Sequence, residues 1–104
     1  MGRVSIVAKR LKQARQRAGL SQKQFGIKAG IDYFGASARI NQYEKGTHLP
    51  GLQTVTRFAD VMQLPVPYFY CQDAELAKAI VKFSALGKAQ KRRLLGLMDE
   101  LLRL

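Results

Sequence analysis

With one cysteine, Cys71, the 104-residue chain cannot staple itself with an internal disulfide. That fits a reducing cytoplasm. The neighbours Tyr68, Phe69 and Tyr70 read Cys71 as a small buried hydrophobe rather than a reactive thiol. Histidine is as scarce: His48 stands alone, with no Cys/His cluster around it, so no metal and no cofactor is expected. Paired catalytic carboxylates, a nucleophile motif and a phosphate-cradling Gly-rich loop are all missing, which argues against an enzyme. No apolar run approaches the roughly 20 residues that span a bilayer. Met1–Lys9 lacks the apolar stretch of a signal peptide, which again favours the cytoplasm. There is no internal repeat and no low-complexity segment.

Acidic side chains are also few, and this shortage is informative. Seven Asp and Glu face eighteen Lys and Arg, a net charge of +11 and a pI near 10.3. Such an excess favours a polyanion: nucleic acid first, an anionic membrane surface second. The membrane alternative wants a basic amphipathic helix with aromatic anchors; Lys88–Leu104 comes nearest and lacks the anchors. A hydrophobic content of 47% supports a real core and excludes a disordered basic tail. Residues 1–72 hold eleven basic and three acidic side chains, residues 73–104 seven and four. The polyanion site is therefore expected in the first segment.

Apolar spacing predicts helices throughout. Val4, Val7, Leu11, Ala14 and Ala18 form one stripe, with Lys9, Arg10, Lys12, Gln13, Gln16 and Arg17 outside it. Gly19 ends that helix. Ser21 and Gln24 have capping-box spacing and open a short second helix, Gln22 to about Ala29, which Gly30 stops. Asp32 or Ser37 caps a third, whose inward face is Ile40 and Tyr43 and which ends at Gly46. Leu52, Val55, Phe58, Ala59 and Met62 define a fourth. Pro65 and Pro67 break it, and Pro67 suits the first turn of a short fifth helix through Tyr70. Asp73 caps a helix to about Leu86 with Leu76, Ala77, Ile80, Val81 and Phe83 as its apolar positions. Lys88–Leu104 then carries Leu94, Leu95, Leu97, Met98, Leu101, Leu102 and Leu104. That stripe either folds back on the core or forms a dimer contact; the expected dimer face is Leu94, Leu97, Met98 and Leu101. The division expected is 1–72 for nucleic-acid binding and 73–104 for a helical dimerisation segment.

The segments Leu11-Lys12-Gln13-Ala14-Arg15, Gly19-Leu20-Ser21-Gln22, Phe25, Gly30-Ile31, Ile40, Glu44-Lys45-Gly46, Pro50 and Leu64-Pro65-Val66 occur in an order that resembles the Xre family of lambda-repressor-like helix-turn-helix proteins. The likeness covers about residues 8–71. It implies an all-α, five-helix DNA-binding domain with a C-terminal helical extension. It also implies a bacterial or phage transcriptional regulator, associated with the nucleoid, that binds double-stranded DNA and represses by occupying a promoter; the leucine stripe of 88–104 adds the expectation of a homodimer. The alternative is an antitoxin-like module whose C-terminal helices bind a protein partner. Two departures stand out. Nine residues separate Gly30 from Ile40, where the family usually has about five; either the turn is longer or the recognition helix starts earlier. Gly26 stands where the family often has alanine, at a helix-propensity cost of about 1 kcal/mol.

With Ile40 and Tyr43 inward, the base-reading set is Ser37, Ala38, Arg39, Asn41 and Gln42. Gln42 is the best reader, because its amide matches adenine N6 and N7; Asn41 could do the same, and Arg39 suits guanine or a phosphate. Gln22 opens the second helix and is assigned to phosphate, with Lys23, Lys45, Thr47 and His48 added by the resemblance. The resemblance further implies a structural ion pair between Arg15 and Glu44. Tyr33 and Phe34 are read as packing on the core, with contact to the sugar-phosphate backbone as the alternative.

Overall fold

In a computed structural model that describes residues 5–104, Ser5 opens the first helix, its hydroxyl accepting the Ala8 N–H at 3.1 Å. Val4, the first position of the expected stripe, lies outside the described residues. Six α-helices and one 3₁₀ turn follow, and no strand occurs among the described residues: α1 Ile6–Arg17, α2 Gln22–Lys28, α3 Ala36–Lys45, α4 Leu52–Met62, the 3₁₀ turn Val66–Tyr70, α5 Ala74–Ala85 and α6 Lys88–Leu102.

Local chemistry sets most of these boundaries. The Ser21 hydroxyl accepts the Gln24 N–H at 3.0 Å while the Gln24 side chain accepts the Ser21 N–H at 2.9 Å, completing the capping box. Asp73 caps α5 by accepting the Glu75 and Leu76 N–H groups. After α2 the chain reverses through Gly30 at φ +88°, a left-handed conformation in which the Ile31 N–H reaches back to the Gly26 carbonyl at 2.9 Å. The end of α4 closes the same way without a glycine: Gln63 takes φ 56° and its side chain donates to the Asp60 carbonyl. The start of α3 differs from expectation. Gly35 is its N-cap, with no side-chain cap, so neither Asp32 nor Ser37 fills that role.

The core lies where α1, α2, α3, α4 and the 3₁₀ turn meet. Leu11, Phe25, Ile40, Val55, Phe58 and Phe69 are fully buried. Phe58 is central: its ring centroid lies 5.0 Å from Phe25 in a tilted contact and 5.8 Å from Tyr43 in an edge-to-face one, both typical of packed aromatics. Cys71 is buried at the rim of this core, as its aromatic neighbours suggest. Packing continues across the 72/73 boundary, because Ala77 joins the core and Ile80 and Val81 pack against it. Three predicted inward positions face solvent instead: Ala18, Leu52 and Leu76. Ala18 and Leu52 sit at helix ends, and Leu76 borders an open apolar groove with Ile80 and Phe83 of α5.

Arg10 reverses the opposite expectation. Placed outside the stripe by periodicity, it is only 3% exposed. Its Nε donates to the Cys71 carbonyl at 2.9 Å and Nη2 to the Gln72 carbonyl at 3.1 Å, while Nη1 donates to Gln13 Oε1 at 2.8 Å. The planar guanidinium thus satisfies two carbonyls left free where the 3₁₀ turn ends.

Helix α6 is the opposite of the core. None of its residues is buried, and Leu95, Leu97, Met98, Leu101 and Leu102 are exposed. It does not fold back on the core. The molecule measures 53 × 33 × 23 Å with a radius of gyration of 15.8 Å, against about 13 Å for a globule of this length.

Candidate nucleic-acid interface

Helix α3 is fixed from beneath and from behind. Ile40 and Tyr43 bury its inner side. At its start Ala36 lies against Gly26 of α2 so closely that a Cβ on Gly26 would meet Ala36 Cβ at 2.8 Å and the Ala36 carbonyl oxygen at 3.0 Å. The glycine in place of the family's alanine is thereby explained: Ala36 already fills the space between the helices.

Towards its far end Glu44 is the hub of a network that joins three helices. Arg15 Nε donates to Glu44 Oε2 at 2.6 Å and Nη2 to Oε1 at 3.0 Å; Nη1 donates to the Leu20 carbonyl at 2.9 Å. Gln22 Nε2 donates to Glu44 Oε1 at 3.1 Å and to Asn41 Oδ1 at 3.2 Å. The side chains of Arg15 and Glu44 are 12% and 3% exposed, so the pair is largely removed from water. Its hydrogen bond to Glu44 raises the pKa of Arg15 above the ordinary value, against the opposing effect of burial.

These contacts leave a defined outer face. Ser37, Ala38, Arg39 and Lys45 are exposed along α3, and Asn41 and Gln42 are half-buried beside them. Thr47 and His48 follow directly, their N–H groups donating to the Gln42 carbonyl at 3.0 and 3.3 Å, with both residues exposed. Lys23 is exposed on α2. The Gln22 side chain behaves differently from its phosphate assignment: its amide donates inward to Asn41 and Glu44. One consequence is an oriented Asn41, whose oxygen faces Gln22 and whose NH₂ group is left for an outside acceptor.

The long interval between Gly30 and Ile40 is taken up by the turn. Ile31–Gly35 lies outside both helices, and α3 starts at Ala36. Tyr33 and Phe34 do not pack on the core; they project from this turn, 56% and 91% exposed. The sequence held the signal for this in its four extra residues, since a lengthened turn has no core to cover it. Among the described residues no group of three or more His, Cys, Asp or Glu could hold a metal ion, and no helix is long and apolar enough to cross a membrane.

A family model described as a helix-turn-helix domain matches residues 6–67. The chain belongs to the helix-turn-helix domain family. The match takes in α1 through the start of the 3₁₀ turn and fits the resemblance to Xre proteins. Two uncharacterised HTH-type transcriptional regulators, from Sinorhizobium medicae and Rhizobium meliloti, are each 30% identical to this helix-turn-helix protein over 64 residues, 62% of its length. The chain spans 43% of the length of these curated relatives. The crystal structure of the transcriptional regulator BswR superposes with a TM-score of 0.88 at 47% identity, covering 92% of this chain and 95% of that one. The agreement therefore extends beyond the helix-turn-helix unit into the C-terminal helices.

Proposed function

We propose that this helix-turn-helix protein is a sequence-specific regulator of transcription that reads the major groove of double-stranded DNA with α3. The observation that carries the reading is the split character of that helix. Its inner side is locked by Ile40, Tyr43 and the Arg15–Glu44–Gln22 network, while Ser37, Ala38, Arg39, Asn41 and Gln42 share the free side. A base-reading helix needs this combination, because hydrogen bonds to base edges discriminate only when the donors are held in register. Lys23, Lys45, Thr47 and His48 flank that side and supply phosphate contacts, which set orientation and the salt dependence of binding. The net charge of +11 favours the same partner. The assigned role is binding rather than catalysis, in the cytoplasm at the nucleoid. Occupying a promoter in this way represses.

The apolar stripe of α6, with half-buried Leu94 and exposed Leu97, Met98 and Leu101, supports a homodimer whose two recognition helices sit roughly 34 Å apart, one turn of DNA. In this reading residues 1–72 bind DNA and 73–104 pair the chains. The same leucines favour a second reading, in which they hold a different protein and DNA binding is secondary.

Selection of bound duplexes from a random pool, at about 0.15 M salt with non-specific competitor, tests the proposal. Enrichment of a palindrome with half-sites near one helical turn is the expected result. Binding without enrichment would remove sequence reading and leave the protein-partner role.

A further inference from the structure

Two large side chains are displayed by the turn that precedes α3, and neither joins the core. Phe34 and Tyr33 stand on a turn fixed from within: the Asp32 carboxylate accepts the Phe34 N–H at 3.1 Å, and the Asp32 carbonyl accepts the Gly35 N–H at 3.1 Å. The rings meet edge to face with centroids 5.3 Å apart, and Lys23 Nζ lies 3.8 Å from the centroid of Tyr33. Tyr33 is thus held between a cation and its neighbour, and Phe34 is the free ring. Only Gly35 separates Phe34 from Ala36, the first residue of α3, and Lys23 is the second residue of α2. The aromatic turn is therefore continuous with the surface assigned to DNA.

We propose that Phe34 is an apolar base contact, its ring lying against the C5-methyl of a thymine at the end of the half-site faced by the start of α3. Tyr33 positions the ring, and Lys23 lies towards the flanking phosphate. The inference rests on the DNA-binding reading above. A phenylalanine offers no hydrogen bond to a base; it offers dispersion and exclusion of water, and the thymine methyl is the apolar group that the major groove presents. A protein partner fits less well. Two rings fall far short of the roughly 1,200 Å² or more that a stable protein interface buries. The one acid of the turn, Asp32, is engaged with the Phe34 N–H, and the neighbouring charge is the Lys23 ammonium.

The test is selection from two random duplex pools, one built with thymine and one with uracil, which lacks the methyl. The wild type should enrich thymine at one position of each half-site by about fourfold, the worth of one buried methyl. Phe34→Ala should be indifferent at that position and unchanged elsewhere, and the wild type should show the same indifference in the uracil pool. If Phe34→Ala keeps every preference, weakens all sequences equally, or the wild type prefers uracil as it does thymine, the contact does not exist. Absence of any enrichment by the wild type would overturn the DNA-binding reading and this contact with it.

Discussion

Arg15 and Glu44 lie 29 positions apart in the chain, yet their side chains meet in a bidentate pair that water barely reaches. Removing one partner strands the other. Arg15→Ala should destabilise the fold by about 3–5 kcal/mol in urea unfolding, whereas combining Arg15→Met with Glu44→Leu, apolar side chains of similar volume, should restore most of the loss. A double variant as unstable as the single one would show that charge pairing is not what matters there. Side chains that face out follow another logic. Gln42→Ala should cost about 1–3 kcal/mol at one base position, while Lys45→Ala should weaken all sequences and lower the salt slope by about one ion. A Gln42→Ala protein with unaltered base preference would move the reading face elsewhere. The Arg15–Glu44 pair is legible in the sequence through family resemblance alone. Arg10 is not legible there at all: its carbonyl partners lie 61 and 62 positions away, and periodicity sees only a charged residue beside an apolar stripe.

Elements are more legible than single contacts where their signals are local. The Ser21–Gln24 capping box and the Asp73 cap can be recognised within a single helical turn of sequence. The turn from α2 to α3 is harder, since whether its two rings pack or project depends on what the core can cover. The close approach of those helices gives a sharp expectation. Gly26→Ala gains about 1 kcal/mol in helix propensity, but its Cβ enters space held by Ala36 and must push α3 away. Overpacking of this kind costs about 1–3 kcal/mol. The variant should melt at a lower temperature and bind DNA more weakly; an equal or higher Tm would mean that the helices can part freely.

For the whole molecule, the deciding contact is the one that α6 makes. Its leucines are plain in the sequence, but a stripe cannot say whether it faces its own core or a neighbour. The structure places it away from the core, with no buried residue. An isolated helix of 15 residues is marginal in water, so the proposed pairing would also supply its stability. In sedimentation, Leu97→Glu is expected to convert the proposed dimer to a monomer with lower helix content; an unchanged mass would refute the contact.

The guanidinium of Arg10 grips the chain at Cys71 and Gln72, where the 3₁₀ turn hands over to α5. In the proposed dimer the seating of α5 on the core, held by Arg10 together with Ala77, Ile80 and Val81, would set how far apart the two reading heads fall. That seating, rather than any base-reading side chain, would then be the ruler of the operator. A series of duplexes differing only in the gap between half-sites would read its length.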